Sequence, residues 1–244
     1  MGSELSHDYR LCFEVAGPLA MFARPDTGGT PTSYPAPTWS AARGLFESIA
    51  FLRDGAAWIC PVEVEVCRRI GEAGGRVHFQ RYTTNYGGPQ RKSDLFGKGI
   101  AAGGSSMQVF ATVLQNVCYR LHAVVVAETG GARVNARHYL QDLFNRRLKQ
   151  GRCFRTPCLG WSEFTCSYWG PVRTDVTEVD DALVIDVPSM LFGVWGSPVT
   201  SAHCSPEYRP EFNREVKIAR GIMEYAVPLE WRETFRVPEM HRAE

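Results

Sequence analysis

From Arg10 to Val15 apolar and polar residues alternate, which puts Leu11, Phe13 and Val15 on one face of a strand. Residues 16–37, with three glycines and five prolines, read as a loop. Thr38 then caps a helix predicted over 38–52, its hydroxyl accepting from a first-turn N–H. Ala42, Leu45, Phe46, Ile49 and Ala50 share that helix's apolar face, and Arg43 and Glu47, four apart, pair on its wetter side. Val62-Glu-Val-Glu-Val66 predicts a half-buried strand with Glu63 and Glu65 outward. Residues 71–106 are glycine-rich without periodicity and read as a long mobile excursion. A second strong strand runs from Asn116 to Ala127.

Asn135 is expected to cap a second helix reaching Gln150. Its inner stripe is Leu140, Leu143, Phe144, Arg147 and Leu148, with Arg147 contributing its aliphatic stem, and Gly151 is the stop. A strand is expected near 154–164, interrupted by Pro157 and Gly160. The order strand, helix, strand, strand, helix, strand predicts an α+β fold, ferredoxin-like and RRM-like, over residues 1–165, with the glycine-rich insertion at about 71–106. Ala182–Val187, Met190–Val194 and Ile222–Val227 predict short strands, and 196–215 a loop, so residues 166–244 are expected to form a small antiparallel β subdomain.

Composition changes this picture little: 244 residues, 44% hydrophobic and 22% charged, describe an ordinary globule. The net charge of +1 says nothing about nucleic acid, but its distribution does. Residues 133–155 carry Arg133, Arg137, Arg146, Arg147, Lys149, Arg152 and Arg155 against Asp142 alone, whereas 175–186 is acidic. Such polarity suits a polyanion on one side, and a merely solvated helix face is the plain alternative. Eight cysteines contain no C-x-x-C pair, so they read as free thiols in a reducing compartment. Cys153, Cys158, Cys166 and His203-Cys204 fit no common zinc spacing, and no metal is expected. A polar amino terminus and the lack of a long apolar run lead to the expectation of a cytoplasmic protein with no membrane contact.

Two places offer chemistry. Arg137-His138-Tyr139 begins the second helix, where backbone N–H groups and the dipole favour a phosphate. An imidazole can lend or take a proton, and a fixed cation stabilises a phosphorane. An exposed Arg-His pair without a role is the alternative. The excursion carries Arg81, Tyr82, Arg91, Lys92 and Lys98 among glycines, and basic residues interleaved with aromatics grip single-stranded RNA. A disordered glycine loop is the alternative there. Trp39, Trp161 and Trp169 read as core.

Several motifs together resemble one family. Gly17-Pro-Leu-Ala-Met-Phe-Ala-Arg-Pro25, Tyr34-Pro-Ala-Pro-Thr38 with Ala41 to Gly44, and Glu47-Ser-Ile49 are similar to the CRISPR-associated protein Cas-five of subtype I-C, in the RAMP superfamily. So are Arg137-His138, Asn145-Arg-Arg-Leu-Lys-Gln-Gly151 and Leu159-Gly-Trp-Ser-Glu-Phe164. The resemblance implies a crRNA 5′-handle-binding subunit of an effector (Cascade) complex. It also implies a metal-independent endoribonuclease that cuts precursor crRNA to a 2′,3′-cyclic phosphate, with no cofactor. The implied partners are CRISPR RNA and the backbone and large subunits, which the excursion would meet as a thumb-like element. Some relatives also touch target DNA, although no residue here identifies that role.

In this scheme His138 is general acid or base and Arg137 steadies the phosphorane, with Tyr139 or Tyr82 as a nearby hydroxyl. Arg24, Arg81, Tyr82, Arg91, Lys92, Lys98, Arg133, Arg146, Arg147, Lys149, Arg152 and Arg155 position the RNA. Three positions depart from the family: Arg137 replaces a lysine, Ala50 stands where a tyrosine or histidine is usual, and Ser162 replaces an arginine. A capping subunit that holds RNA without cutting it, and a generic RNA-binding module, are the alternatives.

Overall fold

The computed structural model describes residues 9–86, 107–127, 135–193 and 211–227. The first strand, β1 (Arg10–Ala20), buries Leu11, Phe13 and Val15 and pairs antiparallel with β4 (Met107–Val126). The register sets Phe13 opposite Leu121 and Glu14 opposite Arg120, so one face of the sheet is apolar and the other ionic. Helix α1 (Trp39–Ile49) begins as expected, with the Thr38 hydroxyl accepting from the Ala41 N–H at 3.2 Å. Helix α2 (Ala136–Lys149) ends at Gly151, whose φ of 62° suits glycine. Both helices reach the same strand: Phe46 and Phe144 meet Phe13 at centroid distances of 4.8 and 5.7 Å, edge-on.

The main sheet runs β5 (Tyr168–Gly170), β1, β4, β2 (Trp58–Arg69), β6 (Thr177–Val179). Two further strands join it, β3 (Phe79–Tyr86) on β4 and β9 (Ile222–Glu224) on β2. All pairings between these strands are antiparallel, which gives the mixed helix-and-sheet class expected. Chain beyond residue 165 therefore returns to the main sheet through β5, β6 and β9. A separate two-stranded sheet joins β7 (Ile185–Gly193) to β8 (Glu211–Ile218). It packs on the core through Phe192, stacked on Trp39 at 4.7 Å.

Five local expectations are corrected. Phe79–Tyr86, within the expected excursion, is a strand that pairs residue by residue with Met107–Leu114, and residues 87–106 lie outside the described residues. The strand expected near 154–164 is a loop with one bridge, Cys158 to Thr165, because Pro157 and Gly160 prevent a ladder. Gly160 has φ +91°, and a Cβ there would lie 1.8 Å from the Met21 carbonyl oxygen, so only glycine lets this loop pass so close to β1. Part of the loop expected at 196–215 belongs to strand β8. Arg43 is buried rather than wet: it keeps the Glu47 pair at 2.7 Å and lies 5.8 and 5.2 Å from the Trp39 and Trp58 rings. Finally, Glu63 and Glu65 face inward, only 1% and 7% exposed. Arg120 and His122 of the neighbouring β4 meet these carboxylates, and β6 and β9 pair along the far edge of β2.

Candidate nucleic-acid interface

The first turn of α2 presents Arg137, His138 and Tyr139, all exposed. Asn135 enters the helix in the left-handed region, φ 69° and ψ 35°, and its side chain makes no capping bond, contrary to the expected cap. Its carbonyl still accepts from the Tyr139 N–H at 3.0 Å. The His138 Nε2 lies 3.5 Å from Asp142 Oδ2, one turn along. The Arg137 guanidinium lies over the Tyr9 ring at 4.5 Å. Successive helix positions diverge by about 100°, so these three side chains fan out around the turn.

The far end of α2 is basic. Arg146, Lys149, Arg152 and Arg155 are exposed at the negative end of the helix dipole, where cations are favoured. Arg147 is half-buried, and its guanidinium donates to the Ile49 carbonyl at 2.7 Å, tying the ends of the two helices together. A shallow groove runs between Arg146, Arg147, Gln150 and Arg152. Beside it, a cavity of about 380 Å³ opens at the end of α1. Phe51, Phe154 and Arg155 line it, with Ala50 at its base. Ala50 is fully buried with extended backbone, φ −150° and ψ 138°, and Ser162 is exposed.

The remaining expected contacts are spread out. Arg81 is exposed on β3. Next to it the Tyr82 hydroxyl donates to Glu163 at 2.8 Å, and its ring meets Phe164 edge-on at 5.0 Å. Arg24 donates to both oxygens of Asp26, at 3.1 and 2.8 Å. Arg91, Lys92, Lys98 and Arg133 lie outside the described residues. Trp39 is core as expected, whereas Trp161 and Trp169 are partly buried. Cys153, Cys158 and Cys166 are free thiols, and Cys204 lies outside the described residues.

Sequence reasoning missed the buried ionic network on the sheet's other face. Glu14 accepts from Arg173 at 2.7 Å and from the Thr177 hydroxyl at 2.7 Å. Burial raises its carboxyl, and these donors more than offset that, holding it below its ordinary value. Arg120 bridges Glu14 and Glu65, each at 3.5 Å. The His122 Nε2 faces Glu65 at 3.5 Å, Glu63 at 3.9 Å and the Cys12 thiol at 3.8 Å. Burial lowers the His122 pKa, but its neighbours Cys12 and Glu65 outweigh that and carry it up to about 10. Three buried carboxylates face Arg120 and Arg173, and an imidazolium at His122 supplies the third positive charge. Glu63, Glu65 and His122 bring ligand-type atoms within 4.8 Å of one another, a set that proton answers electrostatically. The signal was present as Glu14, Glu63, Glu65, Arg120 and His122 at alternating strand positions, but reading it required the register.

Phe154 was missed too, although Arg152-Cys-Phe-Arg155 interleaves an aromatic with cations.

The sequence model of the CRISPR-associated protein (Cas_Cas5) family matches residues 10–213. The chain is 31% identical over 220 residues to the CRISPR pre-crRNA endoribonuclease Cas5d of Thermus thermophilus, covering 90% of this chain and 85% of that protein. It is 30% identical over 170 residues to the protein of the same name from Mannheimia succiniciproducens, covering 65% of this chain and 71% of that one. A solved CRISPR-associated protein shares the fold at 16% identity and TM-score 0.58, over 91% of this chain and 95% of that one. The functionally uncharacterized SMU1763c of Streptococcus mutans does so at 15% identity and TM-score 0.59, over 89% and 92%. The matched region spans nearly all the described fold, both helices and the basic end of α2 included, and the chain belongs to the CRISPR-associated Cas5 family.

Proposed function

We propose that this chain binds the 5′ handle of CRISPR RNA within a type I-C-like effector complex and also cuts precursor crRNA without a metal ion or other cofactor. The observation that carries this reading is the exposed imidazole of His138 at the start of α2, in a chain whose relatives are named pre-crRNA endoribonucleases. RNA supplies its own nucleophile. His138 takes the 2′-OH proton or gives one to the leaving 5′ oxygen. The 2′ oxygen attacks phosphorus, the P–O5′ bond breaks, and a 2′,3′-cyclic phosphate and a 5′-hydroxyl result. Arg137 lies one residue away and offsets charge on the phosphorane, though unlike lysine it cannot trade a proton. Asp142, 3.5 Å from His138, can orient the ring. The basic residues from Arg146 to Arg155 position phosphates, with Arg24, Arg81 and Tyr82 outside that segment.

The strand order β5-β1-β4-β2, with α1 between β1 and β2 and α2 between β4 and β5, supports reading the core as ferredoxin-like. The β7–β8 sheet then stands for the small subdomain expected beyond residue 165. The β3–β4 strand pair is the element we assign to the backbone subunit. A second reading, RNA capping without cleavage, is favoured by Ala50, which is buried and offers no hydroxyl at the end of α1.

Incubating the protein with its own labelled repeat RNA in excess EDTA tests the two. A single cut with a cyclic-phosphate end is expected. Selective binding without a cut would select the capping role.

A further inference from the structure

The cavity at the end of α1 is built to do more than close the core. Its rim is the pair Phe51 and Phe154, edge-to-face at 4.8 Å and 81°. Phe154 is 55% exposed, yet its backbone is pinned: the N–H groups of Phe154 and Arg155 both donate to the Ser48 carbonyl, at 2.8 and 2.9 Å. An aromatic ring held rigidly in water has a cost that a stacking partner removes. The next residue on the rim is Arg155, and Cys153, just before Phe154, belongs to the groove with Arg146 and Arg152. One acid lines the cavity, Glu47, and it is paired to buried Arg43. At about 380 Å³ the cavity lies within the range of small-molecule sites and admits one planar base.

Resting on the RNA-binding reading above, we infer that this cavity takes one unpaired nucleobase of the bound RNA, stacked on Phe154, while Arg152 and Arg155 hold the phosphates beside it. An aromatic face with flanking guanidinium groups matches a nucleotide on both counts, flat apolar ring and negative backbone. Ala50 and Leu140 line the cavity beside the start of α2, and its one acid, Glu47, is paired to Arg43, so the cavity sets register and affinity rather than moving a proton. Phe154 is thus a positioning residue.

Titrating labelled repeat RNA at several salt concentrations separates the two contributions. Phe154→Ala weakens binding roughly 5- to 150-fold with an unchanged salt slope, and Phe154→Trp restores it. Arg152→Ala with Arg155→Ala lowers the slope by about 0.7 for each lost contact on a single strand. Independently of any substitution, 2-aminopurine placed in turn along the RNA is quenched on binding at one unpaired position in the unaltered protein, and this quench is lost with Phe154→Ala. Wild-type affinity in Phe154→Ala, or no position-specific quench, overturns the pocket while leaving RNA binding in place. Failure of the unaltered protein to bind repeat RNA overturns the RNA-binding reading and the pocket with it.

Discussion

Arg43 shows how one buried cation is made tolerable. Its charge is met by Glu47 at 2.7 Å, and its guanidinium lies 5.8 and 5.2 Å from the Trp39 and Trp58 rings. Arg43→Ala leaves Glu47 without its partner and the indoles without a filler, and is expected to lower stability by about 2 kcal/mol in urea unfolding. Gly160 is decided by space. With φ +91° and the Met21 carbonyl where a Cβ would go, Gly160→Ala must move β1 or the loop, costing at least about 2 kcal/mol. A melt of Gly160→Ala within a degree or two of the unaltered protein would contradict this account. The glycine of the Leu159-Gly160 motif thus has a physical reason independent of RNA: the Leu159 carbonyl accepts from the Met21 N–H at 2.9 Å, and only an uncrowded next residue allows that approach.

At the level of elements, the β1, β4 and β2 strands share one ionic seam, and His122 is the member that titrates. Its folded pKa, about 10, lies above the ordinary histidine value of about 6.5. The stabilisation is therefore complete below about pH 6.5 and is lost as pH rises toward 10, by up to about 1.4 kcal/mol per pH unit across that window. His122→Gln should flatten unfolding stability between pH 7 and 10, and an unchanged slope would show that the imidazolium is not what balances Glu63 and Glu65. This seam also marks where sequence reading stops. Helix α1 was legible because Thr38 and the apolar spacing act within a few residues. The outward placement of Glu63 and Glu65 failed because Arg120 and His122, which balance them, lie more than fifty positions away. Strand β3 was hidden for a similar reason, since its partner is the first half of β4 and glycines dominate between them. Near 154–164 a strand was expected across Pro157 and Gly160, and these two residues decide the backbone there. In the candidate site, the basic run and His138 were readable as composition, whereas the aromatic cavity needed the contact between Phe51 and Phe154.

Across the whole molecule, cations gather at the end of α2 while the acids of β2 and β1 are spent inside the sheet. This division gives a near-neutral chain a basic face at the end of α2. RNA affinity should therefore fall steeply with salt, and reversing Arg146 and Lys149 to glutamate should reduce both affinity and the salt slope, as a filter-binding series would show. The account's central claim is that His138 moves the proton in RNA cleavage. The direct measurement is cleavage and binding of repeat RNA in parallel by the unaltered protein and by His138→Ala, in EDTA. The account predicts cleavage lowered by about 10²-fold or more with binding within about twofold. Undiminished cleavage by His138→Ala would contradict it.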